Sequence, residues 1–245
     1  MGGQVSPVLL LAAALVLAGI ALWFRFRSGI RGETGLWFLL WLMAAALSAG
    51  FSAVSWWVED RTVSLSFCQV ATVLMTASSF FVFLFARSFG RGADYKAYFW
   101  SLPLQLAAAA VLANGDIMFS RHSRAWTLEH SSPASWIAAA VLVLYSLLAV
   151  YHIAGILREL HREGREWETQ RMGIILAAML ILFYANVMEG ILGAREWWGA
   201  RIPLVELTYL IGALVLARGV AGKRWGGRRS AGGGNVAGDP GGILE

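Results

Sequence analysis

A single cysteine, Cys68, rules out a disulfide framework and any CxxC metal or redox site. Lysine is nearly as scarce. Lys96 and Lys223 are the only two, and both fall outside the long apolar stretches. A retinal pump needs a Schiff-base lysine within its final helix, so that chemistry is excluded. Charge is thin, with 14% Asp, Glu, Lys and Arg against 58% hydrophobic residues. A water-soluble domain of this length would not tolerate so little charge on its surface. HExxH, GxSxG and Walker-type glycine motifs are missing, as are the paired broken helices that build transporters. No motif calls for a metal or a cofactor, and none is expected. The net charge of +5 has no soluble domain on which to form a nucleic-acid patch.

What is present is apolar length. Seven runs, Val5–Phe24, Leu36–Val58, Val63–Ala86, Tyr98–Ala113, Ala134–Leu157, Met172–Gly193 and Pro203–Ala217, fill most of the chain. About 20 helical residues cross a hydrocarbon core, and most of the runs qualify. The fourth and seventh are short and rely on flanking aromatics. Without dyad alternation the runs read as helices rather than as strands of a barrel. The fold class is therefore all-α, a polytopic bundle of seven transmembrane helices.

The basic residues alternate from connection to connection. The first–second, third–fourth and fifth–sixth connections and the segment after the seventh run hold 15 of the 20 Lys and Arg residues. Basic residues resist translocation, which predicts an N-terminus outside and a cytoplasmic C-terminus. Arg25 and Arg27 follow the first run and no basic residue precedes it, which suits a retained first helix rather than a secretory signal. Residues 1–220 read as one membrane domain. Residues 221–245 read as a disordered, Gly-rich cytoplasmic tail whose Arg224, Arg228 and Arg229 sit near anionic membrane lipids.

Tryptophans fall near predicted helix ends, with Trp23, Trp37, Trp41 and Trp100 on the inner side and Trp56, Trp57, Trp126, Trp136, Trp197 and Trp198 on the outer. That spacing predicts two interfacial belts. Ser48, Ser52 and Ser55 share a face with Ala44, Ala45 and Ala49, a close-packing surface for a neighbouring helix. Ala71, Ser78 and Ser79 are expected to act similarly in the third run. The segment Arg158–Arg171 extends the fifth helix, aided by the pairs Glu159–Arg162 and Arg162–Glu166, and breaks at Gly164. The segment Asn114–Pro133 is the one sizeable outer surface.

Ionisable groups at membrane depth are costly, and each is a functional candidate. Glu189 and Glu206 lie at similar depth near the outer ends of the sixth and seventh runs. Asn186 precedes Glu189 by three residues, Tyr209 follows Glu206 by three, and three residues keep a helix face. Gln69, Asn186, Glu189, Glu206 and Tyr209 are thus expected to line a small-ligand pocket open to the outside. Two adjoining carboxylates there would raise at least one pKa. A Glu within two turns of a helix end also reaches headgroup water on its own, so each carboxylate has that second reading. His152, beside Tyr151, reads as a packing histidine.

The stretch FCQVATVLMTASSFFVFLFARSFGR resembles a helix of the seven-transmembrane sensor region of bacterial histidine kinases. So does YHIAGILRELHREGREWETQRMGIILAAMLILFYANVME, with its tyrosine-bearing helix, its charged linker ending in Gln170 and Arg171, and Asn186 in the following helix. The resemblance spans roughly residues 5–218. It implies a bacterial plasma-membrane sensor that passes an external or intramembrane stimulus inward, with Arg158, Arg162, Arg165, Gln170 and Arg171 as the cytoplasmic relay. The third run lacks the proline common in that family, and little chain follows Arg218, so the output is expected to belong to a separate cytoplasmic signalling protein. Two further readings stand beside this one: a small transporter or channel, and a lipid-modifying membrane enzyme if Tyr151, His152 and a carboxylate converge.

Overall fold

The structure is a computed structural model that describes residues 7–27, 33–89, 97–122, 125–128, 132–190 and 204–221. Eight helices fall in that range: α1 (Pro7–Arg27), α2 (Glu33–Trp57), α3 (Arg61–Arg87), α4 (Ala97–Ala113), the single turn α5 (Gly115–Met118), α6 (Pro133–Arg162), α7 (Glu166–Gly190) and α8 (Leu204–Ala221). Strands β1 (Phe119–His122) and β2 (Ala125–Leu128) form an antiparallel hairpin between α5 and α6, in which Phe119 faces Leu128. Five helices, α1, α2, α3, α6 and α7, are long and apolar enough to cross a membrane. The apolar stretches Phe99–Ala113 and Thr208–Arg218 are shorter. Residues 222–245, expected as a tail, lie outside the described residues.

Several helices overrun their apolar runs because polar residues cap them. Asp60 accepts a hydrogen bond from the Val63 amide at 2.9 Å, so α3 begins at Arg61 rather than at Val63. Ser132 does the same for Ser135, with Pro133 preset in the first turn of α6. Glu166 and Glu168 occupy the first turn of α7, where the helix dipole favours negative charge. That helix starts six residues ahead of its apolar run.

Gly164 makes the break between α6 and α7, with φ of +70°. The Arg165 amide reaches back to the Leu160 carbonyl at 3.1 Å and the Gly164 amide to that of His161 at 3.2 Å. Such a closure needs a left-handed residue, which glycine adopts without strain. The segment Arg158–Arg171 is therefore helix on both sides of a three-residue turn. Its ion pairs are also shifted from the expected ones. Arg165 bonds Glu168 and Glu163, the latter at 3.3 Å, in place of Glu159–Arg162 and Arg162–Glu166. Hydrogen bonds from Arg165 to Glu168 and Glu163 raise the guanidinium pKa above its ordinary value.

Neighbouring contacts fix the helix directions. Ser48 meets Ala71 and Ser64 meets Ser55, so α2 and α3 are antiparallel. Phe80 packs on Tyr145 and Arg87 lies by His152, so α3 and α6 run parallel. Asn186 bonds both Ser146 of α6 and Tyr209 of α8, while Leu182 abuts Gly212, so α7 is antiparallel to both. In the bundle α2 and α7 therefore run one way and α3, α6 and α8 the other. Large apolar side chains such as Leu9, Leu15, Phe26, Phe99 and Leu180 face outward, a surface made for lipid rather than water.

Inside the bundle, the half nearer the α6–α7 turn holds an aromatic layer. Phe38 stands 4.4 Å from Phe24, 5.5 Å from Trp41 and 5.3 Å from Phe85 between ring centroids. At the opposite end Leu65, Val111, Met118, Phe119 and Ala138 form a second apolar cluster that seats the start of the hairpin.

Candidate functional site

The buried polar groups converge on one side chain. Asn186 is 1% exposed and bridges three helices besides its own. Its Nδ2 donates to Ser146 Oγ of α6 at 2.6 Å and to Ser79 Oγ of α3 at 3.2 Å. Its Oδ1 accepts from the Tyr209 hydroxyl of α8 at 3.1 Å. Ser78 and Ser79 in turn approach the Tyr209 oxygen at 3.3 and 3.2 Å. The hydroxyl of Ser146 is bound to the Leu142 carbonyl at 3.0 Å and that of Ser78 to the Met75 carbonyl at 2.8 Å. Ser79 likewise points its hydroxyl at the Met75 carbonyl, at 3.5 Å, so the Asn186 amide is the donor that the Ser146 and Ser79 oxygens accept from. This donor–acceptor pattern sets the side-chain orientation.

The network lies deeper than expected. Ser146 is about midway along α6 and is buried. Beside it sits a cavity lined by Leu17, Ala45, Ser48, Ala49, Met75, Ser78 and Tyr209, with about 10 Å³ of room for the centre of a water-sized sphere. That is near the threshold for one water. The Trp41 ring lies 6.4 Å from that of Tyr209. Trp41 is fully buried with its indole N–H unpartnered, so it is a core residue and not an interfacial anchor.

Of the five residues expected to share a pocket, two meet. Asn186 and Tyr209 are hydrogen-bonded, whereas Gln69 is elsewhere. Its Nε2 donates to the carbonyls of Val111 and Leu112 at 3.1 and 3.4 Å, closing the C-terminal end of α4. Ten residues separate it from Ser79 on α3, about 15 Å of helix. A Cβ at Gly115 would collide with the Gln69 amide, which explains the glycine. Glu189 and Glu206 occupy helical positions in α7 and α8, one turn from Asn186 and Tyr209, and their side chains lie outside the described residues.

No protein-family profile matches the chain, and neither the curated proteins nor the solved structures compared with it give a match. The geometry therefore carries the functional argument. Its second element is a proline repair. Pro103 inside α4 removes a backbone N–H from the helix ladder. The Tyr145 hydroxyl reaches the adjoining turn, accepting from the Leu104 amide at 3.2 Å and donating to the Trp100 carbonyl. Phe80 and Phe83 pack on the same ring at 5.2 and 6.0 Å. Trp100 also lies 5.8 Å under the Arg87 guanidinium, and His152 lies beside Arg87.

Around the turn, Arg158, Arg162, Arg165 and Gln170 are exposed, while Arg171 is buried and stacks 5.8 Å over Trp167. Tyr151 is 77% exposed whereas the neighbouring His152 turns inward, so the two point apart. The residues that motivated a lipid-modifying enzyme do not converge. Among the described residues no cluster of His, Cys, Asp and Glu has the makings of a metal site. Ser146 joins the network without having been expected there, and Ser78 and Ser79, expected only as packing residues, take part through their hydroxyls. Their signal was a hydroxyl at matching depth within apolar runs of two neighbouring helices.

Proposed function

We propose that this chain is a membrane-embedded sensor module of seven spans, its N-terminus outside and its C-terminus cytoplasmic. A stimulus acting on the Glu189 and Glu206 ends of α7 and α8 is relayed to the α6–α7 turn and from there to a cytoplasmic partner. The observation that carries this reading is the position of Asn186, where one side chain fastens α7 to α3, α6 and α8 together. A shift of α7 against any of them must exchange these bonds, which makes the junction two-valued rather than continuously deformable. Glu189 and Glu206 stand one helical turn from it, where a cation, a proton or an amine would change the local charge. A conducting pore is less well supported, because the cavity leaves only about 10 Å³ for the centre of a water-sized sphere and Phe38, Trp41, Phe80 and Phe83 belong to the buried core.

The arginine asymmetry supports the orientation, and reporter tags on the two ends are expected on opposite faces of the membrane. Both tags on one face would overturn it. For the relay, hydrogen exchange over residues 158–171 of the full chain in lipid nanodiscs is the readout. Glu189→Gln, Glu206→Gln and Asn186→Leu are expected to change exchange there several-fold. Exchange unaltered in all three variants would defeat the relay while leaving the fold intact.

A further inference from the structure

A second site lies on the outside of the bundle. Between α1 and α8 runs a groove of about 540 Å³ lined by Val16, Gly19, Ile20, Trp23, Leu214, Ala217 and Arg218. That volume falls within the range of roughly 300–1,000 Å³ typical of small-molecule sites. Its walls are almost wholly apolar except for one guanidinium. Gly19 makes the depth, since a Cβ built there would meet no atom within 4 Å. Val16, Trp23 and Leu214 are 44–52% exposed along it. Among the described residues no carboxylate pairs with Arg218, which is exposed in the last turn of α8.

We propose that this groove binds one acyl chain of an anionic phospholipid, whose phosphate is held by Arg218 with the Trp23 indole alongside at headgroup depth. The juxtaposition decides the occupant. An apolar trench that ends at an unpaired cation and an amphipathic ring matches a molecule with a hydrocarbon tail and an anionic head. Guanidinium binds phosphate through two parallel N–H donors, and tryptophan favours the headgroup region. A zwitterionic lipid fits the trench equally well but offers Arg218 a compensated headgroup. The site therefore selects for net negative charge.

The test uses the full chain, purified, stripped of co-purifying lipid and titrated with phosphatidylglycerol or phosphatidylcholine of identical acyl chains, with bound lipid read by native mass spectrometry. Wild type is expected to bind the first more tightly. Arg218→Gln is expected to weaken phosphatidylglycerol about five-fold, the effect of one cation at an anionic headgroup, and to leave phosphatidylcholine unchanged. Gly19→Leu, whose Cβ meets no atom within 4 Å and whose side chain occupies the trench, is expected to weaken both lipids. Equal affinity for the two lipids in wild type, or an Arg218→Gln variant that keeps its preference, overturns the assignment. So does a Gly19→Leu variant that instead splits a dimer, because the groove would then be an interface between copies. Each outcome is independent of the Asn186 junction.

Discussion

Replacing Tyr145 with phenylalanine should lower stability by about 2–4 kcal/mol, the largest loss expected from any single-atom deletion in this chain. The hydroxyl serves two backbone groups at once, the Leu104 amide and the Trp100 carbonyl, in the turn that holds Pro103. Lipid offers neither group a substitute, and the buried ring leaves no route for water. The mechanism predicts a particular non-additivity. Pro103→Ala restores an amide that pairs with the Phe99 carbonyl and relieves the proline ring's clash there, letting the next turn close with Leu104 on Trp100, so Tyr145→Phe in that background should cost at least about 1 kcal/mol less. Reversible unfolding in mixed micelles measures all four corners of this cycle. Strict additivity would show that the hydroxyl is not compensating for Pro103.

Asn186→Leu ranks second. Three hydrogen bonds disappear, and measured interhelical bonds in membranes average about 0.6 kcal/mol each, for a loss of about 2 kcal/mol. The Tyr209 hydroxyl then loses its acceptor inside an apolar core. Tyr209→Phe should consequently be nearly harmless in the Asn186→Leu background, although it is costly in wild type. The same unfolding assay decides. If the two losses simply add, Tyr209 draws its stabilisation from Ser78 and Ser79 rather than from the asparagine.

The architecture was legible because bilayer-length apolar runs and glycine breaks are local signals. Gly164 is the clearest instance, since a left-handed turn after a run of helix formers leaves few alternatives. Helix ends were less legible. Caps such as Asp60 and Ser132 and the acidic turn at Glu166 extend helices into polar sequence that hydropathy discounts. Within the candidate site, Asn186 and Tyr209 were found by depth and spacing. Depth alone also gathered Gln69, whose partners are carbonyls on α4, because a count along one helix carries no information about azimuth. Trp41 was misplaced for the same reason. An indole near a helix end is interfacial only on the lipid side, and Trp41 faces Phe38 and Tyr209. The serines were read as spacers because small residues and hydroxyl donors share the same codes.

Three serine and threonine hydroxyls in the α2–α3 pair bond main-chain carbonyls of the opposite helix: Thr34 to Ser88, Ser48 to Ala71 and Ser64 to Ser55, at 3.5, 2.8 and 2.5 Å. They fasten the pair at both extremities and at its waist. Since carbonyls are supplied by every residue, this clasp asks nothing of the side chains across the seam and nothing of the other helices. The α2–α3 seam is therefore held along its whole length by hydrogen bonds that need no third helix.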